Sequence, residues 1–234
     1  MRGRRLAGDQ RSFGNFTIMR RVDIPRFPSD LLGRLRADPL RAPETIALVA
    51  GEVHGPAAAA WARDLRSRYE MSDRDLAKRA KARHAALARF GGAATGLGGF
   101  ITYIPDLVSL LWIQSRLVFY VAAAYGHDPC APARPAELLV LRDLYPDVED
   151  AEAALAGTGR RLAYATLDKS LRGSRDAELF GSLLRFSGKR AARRVAAKSI
   201  PGFAVVFNSF SNERDTRALA KRAMAYYASV PTAR

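Results

Sequence analysis

Asp106 and Arg116 are charged residues inside the most apolar stretch of the chain, which runs from Phe100 to Tyr125. On a helix, Asp106, Ser109, Arg116 and Tyr120 fall on one narrow stripe and the remainder is apolar, the pattern of a helix buried in a bundle. An acid and a guanidinium in such a place require partners, a cap or water. They stand ten residues apart, about 15 Å along a helix, too far to pair with each other. Other elements must supply the partners, and Asn208, Arg214, Asp215 and Thr216 are the candidates. A wet core cavity gathering Asp106, Arg116, Asn208 and Thr216 would make a small-ligand site or an enzyme. The competing assignment for Asp106 is simpler: one residue after a helix-starting Pro105, it caps its own helix.

Other residues with reactive chemistry form no recognisable set. His127-Asp128-Pro129-Cys130 offers two ligands, but a metal needs more than the two remaining histidines, His54 and His84, can supply. Each of those reads as a lone surface or packing residue, so neither a metal nor a cofactor is expected. The run Gly91 to Gly99 fits neither phosphate-loop pattern, because no strand precedes it and no Lys-Ser or Lys-Thr follows. Gly92 and Gly96, with Gly99 and the later Gly126, suit close helix packing instead. No G-x-S-x-G or catalytic triad pattern occurs, so no enzyme is declared. Lys189, Arg190, Arg193, Arg194 and Lys198 place cations on one helical face. Such a face is solvated, lies on anionic lipid, or touches a phosphate backbone.

The elements that must position these residues are all helical. Helices are expected from Pro43 to Val53 and, after Gly55, from Pro56 to Tyr69, each with proline in its first turn. Ser72-Asp73-Arg74-Asp75 is a capping box for a basic helix to Phe90. Further helices follow from Pro105 to Tyr125, around Pro135 to Leu144, after Pro146, from Gly159 to Leu171, and from Ser174 to Phe186. Lys189 to Ser199 forms a short basic helix, and Asp215 or Thr216 caps a last one to Ser229. Strand-like alternation is absent. The fold class is therefore all-α, a single multi-helix bundle with one long buried or membrane-facing apolar helix. Residues 1–40 form a basic, flexible arm with at most a short helix at 31–36, and residues 41–234 form the domain. Met1 and Met19 are both possible starts.

The chain has 234 residues, 38 basic against 23 acidic, a net charge of +15 and a single cysteine. That excludes an intrachain disulfide framework and points to the cytoplasm. The arm to residue 36 carries nine Arg against three acids, and 160–200 carries eleven cations against three acids. The apolar residues of 107–121 contribute roughly −3 to −5 kcal/mol to membrane insertion, while Arg116 alone returns roughly +2.5 to +3.5. The balance makes a poor spanning helix and favours a core helix or an interfacial element. DNA binding ranks last, because no short turn joins two suitable helices.

Two blocks together resemble the EcsC protein family. One is F-G-G-A-A-T-G-L-G-G-F-I-T-Y-I-P-D-L-V-S-L-L-W-I-Q-S-R-L-V-F-Y-V-A-A-A-Y-G-H-D, residues 90–128, and the other I-P-G-F-A-V-V-F-N-S-F-S-N-E-R-D-T-R-A-L-A-K-R-A-M-A-Y-Y, residues 200–227. With the helices between them the resemblance spans residues 60–228. It implies an α-helical domain of no established chemistry, linked to an ABC exporter operon and to membranes. Its polar marks fall on Gly96, Gly99, Asp106, Arg116, Tyr125, Gly126, Asp128, Asn208 and Thr216. The expected function is a non-catalytic accessory factor on the inner face of the membrane. Its partner would be an anionic membrane surface or a membrane protein such as an ABC transporter.

Overall fold

A computed structural model describes residues 26–90, 100–158, 174–187 and 209–232, which hold eight α-helices and no strand. The helices are α1 (Leu31–Ala37), α2 (Ala42–Arg68), α3 (Asp73–Phe90), α4 (Phe100–Ala124), α5 (Arg134–Leu141), α6 (Val148–Leu155), α7 (Arg175–Phe186) and α8 (Ser209–Ser229). Local chemistry sets several of their ends. The Ser72 hydroxyl accepts the Asp75 N–H at 3.2 Å and bonds the Asp75 carboxylate at 2.7 Å, which starts α3. Asp147 accepts the Asp150 N–H at 2.8 Å and Ser174 that of Ala177 at 3.2 Å, starting α6 and α7. Past α4, Gly126 takes φ +81°, and the His127 N–H returns to the Ala122 carbonyl at 3.1 Å.

Sequence and structure part company at three boundaries. The two helices expected around Gly55 are one, α2, with Pro56 inside it. Pro56 and Glu52 are both exposed, so the carbonyl that loses its N–H partner lies on the solvent side, where water can satisfy it. Helix α4 begins at Phe100 rather than Pro105, so Asp106 lies in its second turn rather than at its start. Helix α8 begins at Ser209, well before Asp215 and Thr216. Thr216 is accommodated mid-helix because its hydroxyl donates to the Asn212 carbonyl at 2.6 Å. The short helix expected at 31–36 is present as α1, and its Leu31 and Leu35 are fully buried in the common core.

Helix α4 is the axis of the bundle, with α2, α3, α5, α7 and α8 packed on it. It is long and apolar enough to cross a membrane, yet 89% of its apolar window is buried inside the protein. Among the described glycines, close helix approaches come at Gly51 and Gly55. A Cβ on Gly51 would meet Pro135 Cγ at 3.0 Å, and one on Gly55 would meet the Pro129 carbonyl oxygen at 2.9 Å. Gly126 is an exposed left-handed stop, not a packing residue. Helix α8 is tied in at its far end: Tyr227 donates to Glu137 at 2.7 Å, Arg134 pairs with the same carboxylate, and His127 donates to the Tyr227 carbonyl at 2.9 Å. Residues 1–25, Gly92, Gly96, Gly99, Asn208, Lys189, Arg190, Arg193, Arg194 and Lys198 lie outside the described residues.

Candidate functional site

Between Ile104 and Ala124 only Pro105, Asp106, Ser109 and Arg116 escape full burial. At about 100° per residue they occupy an arc of about 100° on α4, which also contains Tyr120. This arc lies between α2 and α3, which both pack on α4 but hardly touch each other. The result is a groove floored by the α4 stripe. On the α2 side the His54 ring lies 4.3 Å from that of Trp112 and 6.4 Å from that of Phe119. On the α3 side the His84 ring lies 5.0 Å from that of Tyr120, which Trp61 also approaches at 5.0 Å. The charge of Arg116 reaches both histidines.

The expected partners of Arg116 on α8 are not the ones it has. Its guanidinium donates to the Tyr120 hydroxyl at 2.7 Å and lies 4.8 Å from the centre of that ring, so the partner comes from its own helix one turn on. Its buried Nε has no partner, and no carboxylate pairs with it among the described residues. Ser109 donates to the Pro105 carbonyl at 2.8 Å. Thr216 goes elsewhere: it accepts from Gln114 at 3.0 Å, and the Gln114 amide oxygen accepts from Arg142 at 3.0 Å. Of the four residues expected to cluster, Asp106 and Arg116 therefore share one face of the groove, whereas Thr216 belongs to a separate polar chain.

Of the two readings for His54 and His84, surface or packing, the structure gives packing: both are buried, and both are pushed down to about 3 from the ordinary 6.5. Burial is the main cause for each. The Arg116 charge adds to it, although a hydrogen bond to the Trp112 backbone (His54) or the Ala80 backbone (His84) pulls the other way. The Ala80 carbonyl can only accept, so His84 Nδ1 carries the proton at 2.8 Å and Nε2 is left as a lone pair. Nε2 of both histidines and the indole nitrogen of Trp112 are buried without partners. The groove thus joins one uncompensated cation to two neutral imidazoles. Imidazoles held near pKa 3 are weak bases at neutral pH, which disfavours proton-transfer catalysis. His127 spends its Nε2 on Tyr227, while Cys130 is exposed, and no group of three or more potential metal ligands occurs among the described residues.

Sequence reasoning missed that His54 and His84 belong together, because thirty residues separate them and they stand on two different helices. It also missed Arg142, which is fully buried, with Nη1 donating to Gln114 and to the Phe186 carbonyl at 2.8 Å. The one signal for Arg142 was its position within Leu-Leu-Val-Leu-Arg-Asp-Leu, a lone base among apolar neighbours.

A second electrostatic feature adjoins the groove. The solvent side of α3 exposes Arg74, Lys78, Arg79, Arg83 and Arg89, with Lys81 half-buried. Its acids, Asp73 and Asp75, stand in the first turn and pair with Arg66 and Lys78. From Leu76 to Phe90 the helix has no acid at all. Helix α8 packs beside it and exposes Arg214, Arg217, Lys221 and Arg222.

No curated protein and no solved structure matches the chain. A family model does, over residues 68–229, from the end of α2 through the groove-forming α3 and α4 to the last residue of α8. The match takes in most of the sequence, and the chain belongs to the EcsC protein family.

Proposed function

We propose that this protein is a non-catalytic accessory factor that docks peripherally on an anionic membrane surface through the basic side of α3. The observation that carries the reading is the run from Leu76 to Phe90, five basic residues and no acid on one helix. Basic residues near an anionic leaflet contribute about 1 kcal/mol each, so a face of this size suffices for reversible attachment. Burial of α4 favours attachment at the surface over insertion. The cations of α8 extend the same side, and the net charge of +15 acts in the same sense. Flotation with vesicles tests it: the protein should rise with anionic vesicles at low salt, and not with neutral ones. Equal recovery with both would overturn the reading. Retention on the acidic face of a purified membrane protein, without flotation, would replace lipid by a protein partner.

The unpartnered polar atoms around Arg116 favour a second reading, a small organic acid held in the groove. Both tryptophans of the chain, Trp61 and Trp112, stand at this groove, so intrinsic fluorescence reports on it directly. A saturable change on adding small carboxylates, absent in Arg116→Gln, is the expected result. An unchanged spectrum across such a series would contradict it.

A further inference from the structure

Arg142 stands where α5 ends, among α4, α7 and α8. Its side chain is held on three sides. Nη1 donates both of its hydrogens, to Gln114 Oε1 at 3.0 Å and to the Phe186 carbonyl at 2.8 Å, and the Phe186 ring lies 4.5 Å from the guanidinium carbon. Gln114 cannot turn away, because its amide nitrogen donates to Thr216 and the Thr216 hydroxyl donates to the Asn212 carbonyl. The position of the guanidinium is therefore fixed by a chain of oriented groups.

What the described residues do not supply is a counter-charge. Arg142 is 2% exposed, and no acid pairs with it among the described residues: the neighbouring Asp143 pairs with Arg222 at 2.7 Å instead. Burial, and then the charge of Arg222, lowers its pKa to about 9, so it remains a cation at neutral pH. A buried cation left alone is strongly unfavourable. The unsatisfied atoms are also a particular pair. Nε and Nη2 are both buried and without partners, and their N–H groups lie parallel on one edge of the guanidinium plane. That edge is the one which grips two oxygens of a carboxylate or a phosphate at once.

We propose that the free edge of Arg142 is a binding site for one small oxyanion, a carboxylate or a phosphate group, seated at the junction of α4, α5, α7 and α8. The site is separate from the groove at Arg116 and does not depend on the membrane reading. The oxyanion accepts from Nε and Nη2, while Gln114 and Phe186 hold the other side of the fork.

Thermal unfolding of the full chain, with inorganic phosphate against chloride at equal ionic strength, provides the test. Saturating oxyanion should raise Tm by on the order of 2–5 °C. Arg142→Lys keeps the charge but loses the fork, and should lose most of the shift; Arg116→Gln should keep it. The arginine Nε–H resonance of Arg142 in the wild-type chain gives a readout that needs no variant, and should move and saturate as phosphate is added. A soluble short-chain phosphatidate in place of phosphate distinguishes a lipid headgroup from the free ion, since only a headgroup site gains affinity from the attached glycerol. No Tm shift over chloride together with an unmoved Arg142 resonance overturns the proposal, as does a shift of full size in Arg142→Lys.

Discussion

His54 and His84 carry the sharpest consequence at the scale of single residues. In the unfolded chain each titrates near 6.5, whereas in the fold each is held near 3. Below pH 6.5 the unfolded state therefore takes up protons that the folded state refuses, so stability falls as pH drops from about 6.5 towards 3. The slope is up to about 1.4 kcal/mol per pH unit for each histidine. Urea midpoints should decline steeply between pH 7 and pH 4.5, and less steeply in His84→Asn; an identical slope in that variant would contradict the assignment. This property was illegible in the sequence. A histidine shows its neighbours along the chain but not those across a bundle, and burial, the larger cause, is a property of the fold. Arg142 was hidden for the same reason. By contrast Ser72, Asp147 and Ser174 were legible as caps or helix starts, because a cap acts on an N–H only three residues away.

At the scale of helices, the polar stripe of α4 is legible in the sequence because its periodicity reports directly on which side is buried. Asp106, Ser109 and Arg116 do lie on the least buried line of an otherwise enclosed helix. Helix ends at proline were misread. Proline suits a first turn, so Pro56 and Pro105 read as starts, but each is carried inside a longer helix whose packing outweighs one missing bond. The corner of α2, α3 and α4 depends on Arg66, which donates to the Ala123 and Ala124 carbonyls at 3.2 and 2.8 Å and also pairs with Asp73 at 2.9 Å. It caps the negative end of α4 from a neighbouring helix. Arg66→Ala should lower stability by about 1–2 kcal/mol, read as a shift in urea midpoint with no change in slope. A variant as stable as the parent would show that water satisfies these carbonyls equally well.

For the molecule as a whole, composition was the least specific guide. A net charge of +15 fits nucleic acid, lipid or a drift towards arginine equally well. What the fold adds is location. Within the described residues the cations of α3 share one solvent side, next to those of α8 and away from the apolar axis on α4. The strongly basic segment 189–198 lies outside the described residues, so α3 is where the claim of membrane docking can be tested. The most direct measurement is flotation of a folded variant carrying Arg74→Gln, Lys78→Gln, Arg79→Gln and Arg83→Gln, beside the parent, on anionic vesicles at low salt. At about 1 kcal/mol per cation, recovery by the vesicles should fall by more than tenfold in partition coefficient. Binding as tight as that of the parent would contradict the account.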